Sequence, residues 1–102
     1  MQNQGRVASR YVQALMDLAE EANAIDKIAT DFQGLKSLLA DSDDFNRFVR
    51  SPLISRDAKK KAIVAISIKA KFQDLTQRFL STLASNRRLM ALPAIIQQFE
   101  EE

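Results

Sequence analysis

Apolar residues recur along this chain at three- and four-residue intervals, and no strand-length run alternates apolar with polar positions, so the pattern is helical throughout. Six helices can be drawn. The first spans about Gly5 to Ala22 and the second Ala24 to about Ala40, the latter with Ile25, Ile28, Phe32, Leu35 and Leu39 on one face. Gly34 interrupts that helix at a cost of about 1 kcal/mol relative to alanine and is read as a close helix contact. Ser42 is placed to cap a short third helix bearing Phe45, Phe48 and Val49, which Ser51-Pro52 ends because a residue before proline is pushed out of the helical region. Ser55 caps a fourth helix, Arg56 to about Ala70, with Ala62, Ile63, Ile66 and Ala70 as its inner stripe and Asp57 in the first turn. After a break at Lys71 to Asp74, a fifth helix reaches about Ser85, with Asn86 as its left-handed terminator. The sixth begins between Leu89 and Pro93 and presents Ile95, Ile96 and Phe99 inward. The expected fold is all-α, a compact six-helix bundle forming a single domain over residues 1–102.

Two of these helices are apolar over more of their circumference than one packed side requires. On the first, Val7, Ala8, Tyr11, Val12, Ala14, Leu15, Met16, Leu18 and Ala19 cover an arc of roughly 200°, where a stripe of about 100° is enough for a helix on a small core. On the fifth, Phe72, Leu75, Phe79, Leu80, Leu83 and Ala84 cover roughly 180°, with Thr82 at one edge. Either both helices are central and surrounded, or part of each face stays open as a groove for a partner's amphipathic helix.

Composition narrows the chemistry. Apolar residues make up 46% of the 102, enough for a real core, while two glycines and two prolines argue against a loop-rich chain. With no cysteine and no histidine, thiol nucleophiles, disulfides, imidazole bases and the usual zinc ligands are all excluded. Ser55-Arg56-Asp57-Ala58 lacks the lysine of a Ser-x-x-Lys motif; Asp41, Asp43 and Asp44 lack the glycine and final glutamate of a calcium loop; there is no glycine-rich phosphate loop. No enzyme, cofactor or metal site is therefore expected. No stretch approaches the roughly 20 apolar residues of a membrane span, and Met1 to Arg10 has no signal-peptide core, so the chain is expected to be soluble, untargeted and not inserted in a membrane.

The net charge of +2 is unevenly placed, with Arg56, Lys59, Lys60, Lys61, Lys69 and Lys71 in the second half. A nucleic-acid-binding module using the fourth helix is the alternative this raises. Three consecutive lysines, however, fan around a helix instead of forming a stripe, and Tyr11, the only tyrosine, lies far from them in a chain without tryptophan, so they are read as a solvated face and nucleic acid is not expected as a partner.

Three segments together carry a family likeness: Arg10-Tyr11-Val12-Gln13-Ala14-Leu15-Met16-Asp17-Leu18-Ala19, then Phe48-Val49-Arg50-Ser51-Pro52-Leu53-Ile54-Ser55, and, most specifically, Phe79-Leu80-Ser81-Thr82-Leu83-Ala84-Ser85-Asn86-Arg87-Arg88-Leu89 followed by Leu92-Pro93 and Ile96. In order and spacing the chain resembles the N-terminal domain of the delta subunit of F-type ATP synthases, the family of the mitochondrial oligomycin-sensitivity-conferring protein. The resemblance implies a non-catalytic stator (peripheral-stalk) adaptor. It would bind the N-terminal helix of an alpha subunit between its first and fifth helices and would help keep the catalytic head from turning with the rotor during proton-driven ATP synthesis. It also implies a longer subunit whose C-terminal region, absent here, meets the b subunits. The location implied is peripheral, on the cytoplasmic face of a bacterial inner membrane or the matrix side in a mitochondrion. Tyr11 and Ala14 match the family's groove-lining first helix; Val7, Leu15 and Leu18 extend it by helical spacing. Leu75, Phe79 and Thr82 are the expected contributors from the fifth helix. The run Glu100-Glu101-Glu102, unfavourable at the negative end of a helix dipole, adds to the expectation that the natural protein continues.

Overall fold

The helices predicted from the apolar pattern are those found in a computed structural model, which describes residues 2–101, with side chains from residue 5 onward. They are α1 (Gln2–Glu21), α2 (Ile25–Asp41), α3 (Asp43–Arg50), α4 (Arg56–Lys69), α5 (Asp74–Ser85) and α6 (Leu92–Glu101), with a single 3-10 turn, Leu89–Ala91, leading into the last. There is no strand among the described residues. α4 packs along α5, α1 along α6, and α2 against α3 and α6. The radius of gyration is 12.6 Å, close to the ~13 Å expected of one compact domain of this length. The core takes Ile28, Phe32 and Leu35 from α2, Ile63 from α4, Leu80 and Leu83 from α5 and Ile95 from α6.

Local chemistry fixes the helix ends. The hydroxyls of Ser42 and Ser55 accept from the backbone N–H groups of Phe45 (3.1 Å) and Ala58 (3.2 Å), as their positions before α3 and α4 predict. α1, α4 and α5 all stop the same way, without glycine. Asn23, Lys71 and Arg87 have φ of 55°, 61° and 58°. The N–H of the next residue then returns to a carbonyl five positions back: Ala24 to Ala19 (2.8 Å), Phe72 to Ser67 (3.0 Å) and Arg88 to Leu83 (2.8 Å). The left-handed residue after α5 is thus Arg87 and not Asn86, whose φ of −91° is ordinary. Phe72, delivered by the turn after α4, is buried with its ring edge 3.5 Å from where a side chain on Gly34 would begin, so the glycine contact is with a ring on a connection and not with another helix.

The inner stripe of α4 differs from the one its apolar residues suggested. Lys59, Ile63 and Ser67 face inward at intervals of one turn; Ala62 and Ile66 are only half-buried and Ala70 is exposed. Both polar members are satisfied: Lys59 Nζ donates to the carbonyls of Val49 (3.1 Å) and Ser51 (2.6 Å), closing the C-terminal end of α3, and Ser67 Oγ donates to Val64 O (2.8 Å).

One polar tie spans the bundle. Asp31 on α2 accepts, through Oδ2, the backbone N–H of Gln73 (3.0 Å) and the hydroxyl of the fully buried Thr76 (2.7 Å). The side chain of Gln73 makes no capping bond, so α5 is capped from another helix. At the far end, Glu100 accepts from Lys36 (3.1 Å) and Gln33 (3.2 Å); Glu102 lies outside the described residues. Asp31→Ala should lower stability by about 1–3 kcal/mol, the cost of leaving a buried hydroxyl and an N–H unpaired, with Asp31→Asn milder; urea unfolding checks this.

Candidate functional site

The broad apolar arcs of α1 and α5 resolve into paired stripes offset by one residue. On α1, Ala8, Val12, Leu15 and Ala19 are buried, at spacings of four, three and four. One residue earlier in each case come Val7, Tyr11, Ala14 and Leu18, of which Val7 and Tyr11 are half-buried and Ala14 and Leu18 exposed. On α5, Thr76, Leu80 and Leu83 are buried, while Leu75 and Phe79 are half-buried and Thr82 is exposed. Successive residues on a helix are about 100° apart, so each helix turns one stripe into the core and holds the next open beside it. Neither helix is surrounded.

The two open stripes meet. Tyr11 and Phe79 pack edge to face with ring centroids 6.1 Å apart, and Asn86 Nδ2 donates to the Tyr11 hydroxyl at 3.0 Å. Beside this contact is a recess of about 280 Å³ lined by Val7, Arg10, Tyr11, Ala14 and Arg88. Phe79 is held from below by Phe32 (6.1 Å), so the floor of the open face is continuous with the core. A larger recess of about 640 Å³ lies on another side, over Met16, Ile25, Ala29, Phe32 and Phe99. Volume alone does not choose between them, because a helix docks along a stripe of side chains and not into a hole.

Of the eight residues expected to line a helix-binding surface, seven are at least partly accessible. Leu15 is the exception: at 1% exposed it is part of the core and cannot touch a docked partner. It stands next to Ala14 in sequence, and the one-residue step that opens Ala14 turns Leu15 inward. Leu18, 51% exposed, is an unpartnered large apolar side chain on α1. Arg10 and Arg88, which also line the recess, were not foreseen as groove residues; their position beside the apolar stripe was the only signal available.

The alternative basic site on α4 fares differently. Lys60 and Lys61 are exposed, but Lys59 is buried and spends its ammonium on carbonyls. Burial lowers its pKa from the ordinary lysine value. The lysine triplet is therefore not one charged face, and a nucleic-acid reading of α4 loses its centre. Among the described residues, no group of three or more acidic side chains is gathered as a metal cage, and no helix is long and apolar enough to cross a membrane.

The sequence profile of the ATP synthase delta (OSCP) subunit family matches residues 7–102. The chain belongs to that family. It is 44% identical over 96 residues to the ATP synthase subunit delta of Rhizorhabdus wittichii, covering 94% of this chain and 52% of that protein, and 45% identical over 94 residues to the one from Phenylobacterium zucineum, covering 92% and 51%. Among solved structures, a chain in the cryo-EM structure of the Toxoplasma gondii mitochondrial ATP synthase hexamer superposes with a TM-score of 0.84 at 32% identity, over 91% of this chain and 52% of that one. The chain thus spans about half the length of the delta subunits it matches. The comparisons give the basic-helix alternative no support.

Two contrasts test the geometry. Leu15→Ala should cost about 2–5 kcal/mol as a core cavity, while Ala14→Arg, one residue away, should leave the melting temperature nearly unchanged. Lys59→Met, which orphans two carbonyls, should destabilise by about 1–3 kcal/mol, whereas Lys60→Met and Lys61→Met should each stay within about 0.5 kcal/mol by denaturant titration.

Proposed function

We propose that this chain is the helix-binding domain of an ATP synthase delta subunit, a non-catalytic stator adaptor that receives the N-terminal helix of an alpha subunit across the open stripes of α1 and α5. The observation that carries the reading is the doubled stripe. Val7, Tyr11, Ala14 and Leu18 on one side and Leu75, Phe79 and Thr82 on the other give two rows of mostly small and apolar side chains. The edge-to-face pair of Tyr11 and Phe79 braces the space between them. An amphipathic helix needs a face of this kind: a floor already ordered by packing, with apolar side chains at one-turn intervals to take its own. Ala14 matters by being small, since a methyl group lets a partner backbone come close.

Holding the head of the enzyme is a mechanical task, and the domain suits it in two ways. The floor is rigid, because Phe79 rests on Phe32 and the core behind it. Arg10 and Arg88 at the rim supply charge that orients an incoming helix without needing burial. In this reading the b subunits are met by the part of a full-length delta subunit that this chain does not span, so residues 1–102 form the alpha-binding domain of a two-part adaptor. The complex would be peripheral to the membrane, on the cytoplasmic face in a bacterium or the matrix side in a mitochondrion.

Titration with a synthetic peptide of the alpha subunit N-terminus, followed by NMR, tests this. Shifts should centre on Val7, Tyr11, Ala14, Leu18, Leu75, Phe79 and Thr82. Ala14→Asp should weaken binding by about 2–4 kcal/mol, because it buries an unpaired carboxylate under the docked helix. Unchanged affinity in a folded Ala14→Asp variant would remove this face as the binding site.

A further inference from the structure

A third recess lies on the other side of the turn that ends α5. It measures about 320 Å³ and is lined in part by Leu53 and Ile54 from the α3–α4 connection, Met90 from the 3-10 turn, and the basic residues Arg56, Lys59 and Arg87. Leu53 is 92% exposed, and Ile54 and Met90 are both accessible, so three large apolar side chains stand together in water outside the α1–α5 face. No acidic residue lines the recess. Arg56 has only its exposed neighbour Asp57, at 3.7 Å, and Arg87 has no ion pair among the described residues.

Arg87 and Arg88 are consecutive, yet they serve different recesses: Arg88 lines the one beside Tyr11 and Arg87 the one beside Leu53. The divergence follows from the backbone. Arg87 has φ of 58°, a left-handed conformation that glycine adopts without penalty and a side chain resists. The chain thus has an arginine where glycine would be easier, and that arginine lines a recess that has no acid of its own.

We propose that this recess is a second docking surface, separate from the α1–α5 face, and that it takes an acidic, amphipathic segment of a partner protein. An aliphatic or aromatic side chain of that segment packs among Leu53, Ile54 and Met90 while its carboxylates pair with Arg87 and Arg56. The charge pattern selects this occupant: every charged residue lining the recess is cationic, and a guanidinium pairs with a carboxylate through two parallel hydrogen bonds. Met90 suits an apolar surface that must adapt to its partner, being unbranched and polarizable. The buried ammonium of Lys59, held only by carbonyls, adds positive potential beneath the rim. This inference does not depend on what binds between α1 and α5.

The test is NMR titration of the chain with a short synthetic helix bearing one leucine- and phenylalanine-rich face flanked by glutamates. A twin peptide with lysine at every glutamate and a short single-stranded oligonucleotide serve as comparisons. The acidic peptide should give saturable shifts at Leu53, Ile54 and Met90. Arg87→Gly, which relieves the left-handed backbone and so should not lower the melting temperature, should weaken it about tenfold, and Arg87→Lys, which keeps the charge but not the bidentate fork, should recover only part of the loss. Leu53→Glu, at a position open to solvent, should abolish binding, and none of these changes should alter binding on the α1–α5 face. Equal binding of the lysine twin would overturn the proposal, as would an unaffected Arg87→Gly variant or shifts confined to Val7, Tyr11 and Ala14. No saturable binding would overturn it too, and preferential binding of the oligonucleotide at Leu53 and Met90 would replace it with a nucleic-acid site.

Discussion

The ring of Phe32 stands between Phe99 on α6, 4.9 Å away, and Phe79 on α5, 6.1 Å away, and Phe79 in turn meets Tyr11 of α1 edge-on. This line of rings runs from the sealed interior to the open face and joins four of the six helices. Aromatic pairs in such tilted and edge-to-face arrangements contribute about 0.5–1.5 kcal/mol each beyond the area they bury. Their larger effect here is geometric. Phe79 cannot sink into the core because Phe32 already fills it, and it cannot swing outward without losing Tyr11. The side chain in the middle of the open face is therefore held in place by the fold itself.

Asp31 acts on the same open face from a distance, through the start of α5. α5 must sit at one rotation about its axis for Leu80 and Leu83 to face inward while Phe79 and Thr82 remain accessible. A helix of twelve residues without a capping side chain of its own is free to fray or turn. Asp31 removes that freedom by holding the N–H of Gln73 and the hydroxyl of Thr76 from α2, the helix that also carries Phe32. One helix thus positions α5 at two points about a turn apart, and the polar tie and the aromatic contact specify the same orientation.

At the other end of α5, the left-handed turn at Arg87 does more than stop a helix. The bond from Arg88 N–H to Leu83 O closes α5, and the reversal sends Arg87 and Arg88 to different recesses. Glycine would make this turn more easily. An arginine makes it at some strain and gives the surface a charge where the two faces divide. The ends of α1 and α4 use the same turn with Asn23 and Lys71, so the local geometry repeats while the side chain at the left-handed position differs.

Helix number, the serine caps of α3 and α4, and the unusual apolar width of α1 and α5 could all be read from the sequence, because each depends on spacing or on neighbours a few residues away. The residues of the open face were legible as part of that width, and the family likeness singled out Tyr11 and Ala14. What spacing could not do was divide the arc. Ala14 and Leu15 are both apolar and lie side by side on it, and only the packing of other elements against α1, α6 foremost, decides that one is open and the other sealed. Buried polar groups were hidden for a related reason. Lys59, Ser67 and Asp31 look like surface residues until the carbonyls, hydroxyl and N–H that satisfy them come into range; for Lys59 and Asp31 those partners lie on other elements. The pattern of residue types determined which helices form and that two of them have more apolar surface than a core needs. Their relative placement, a property of contacts distant in sequence, determined which of that surface stays open.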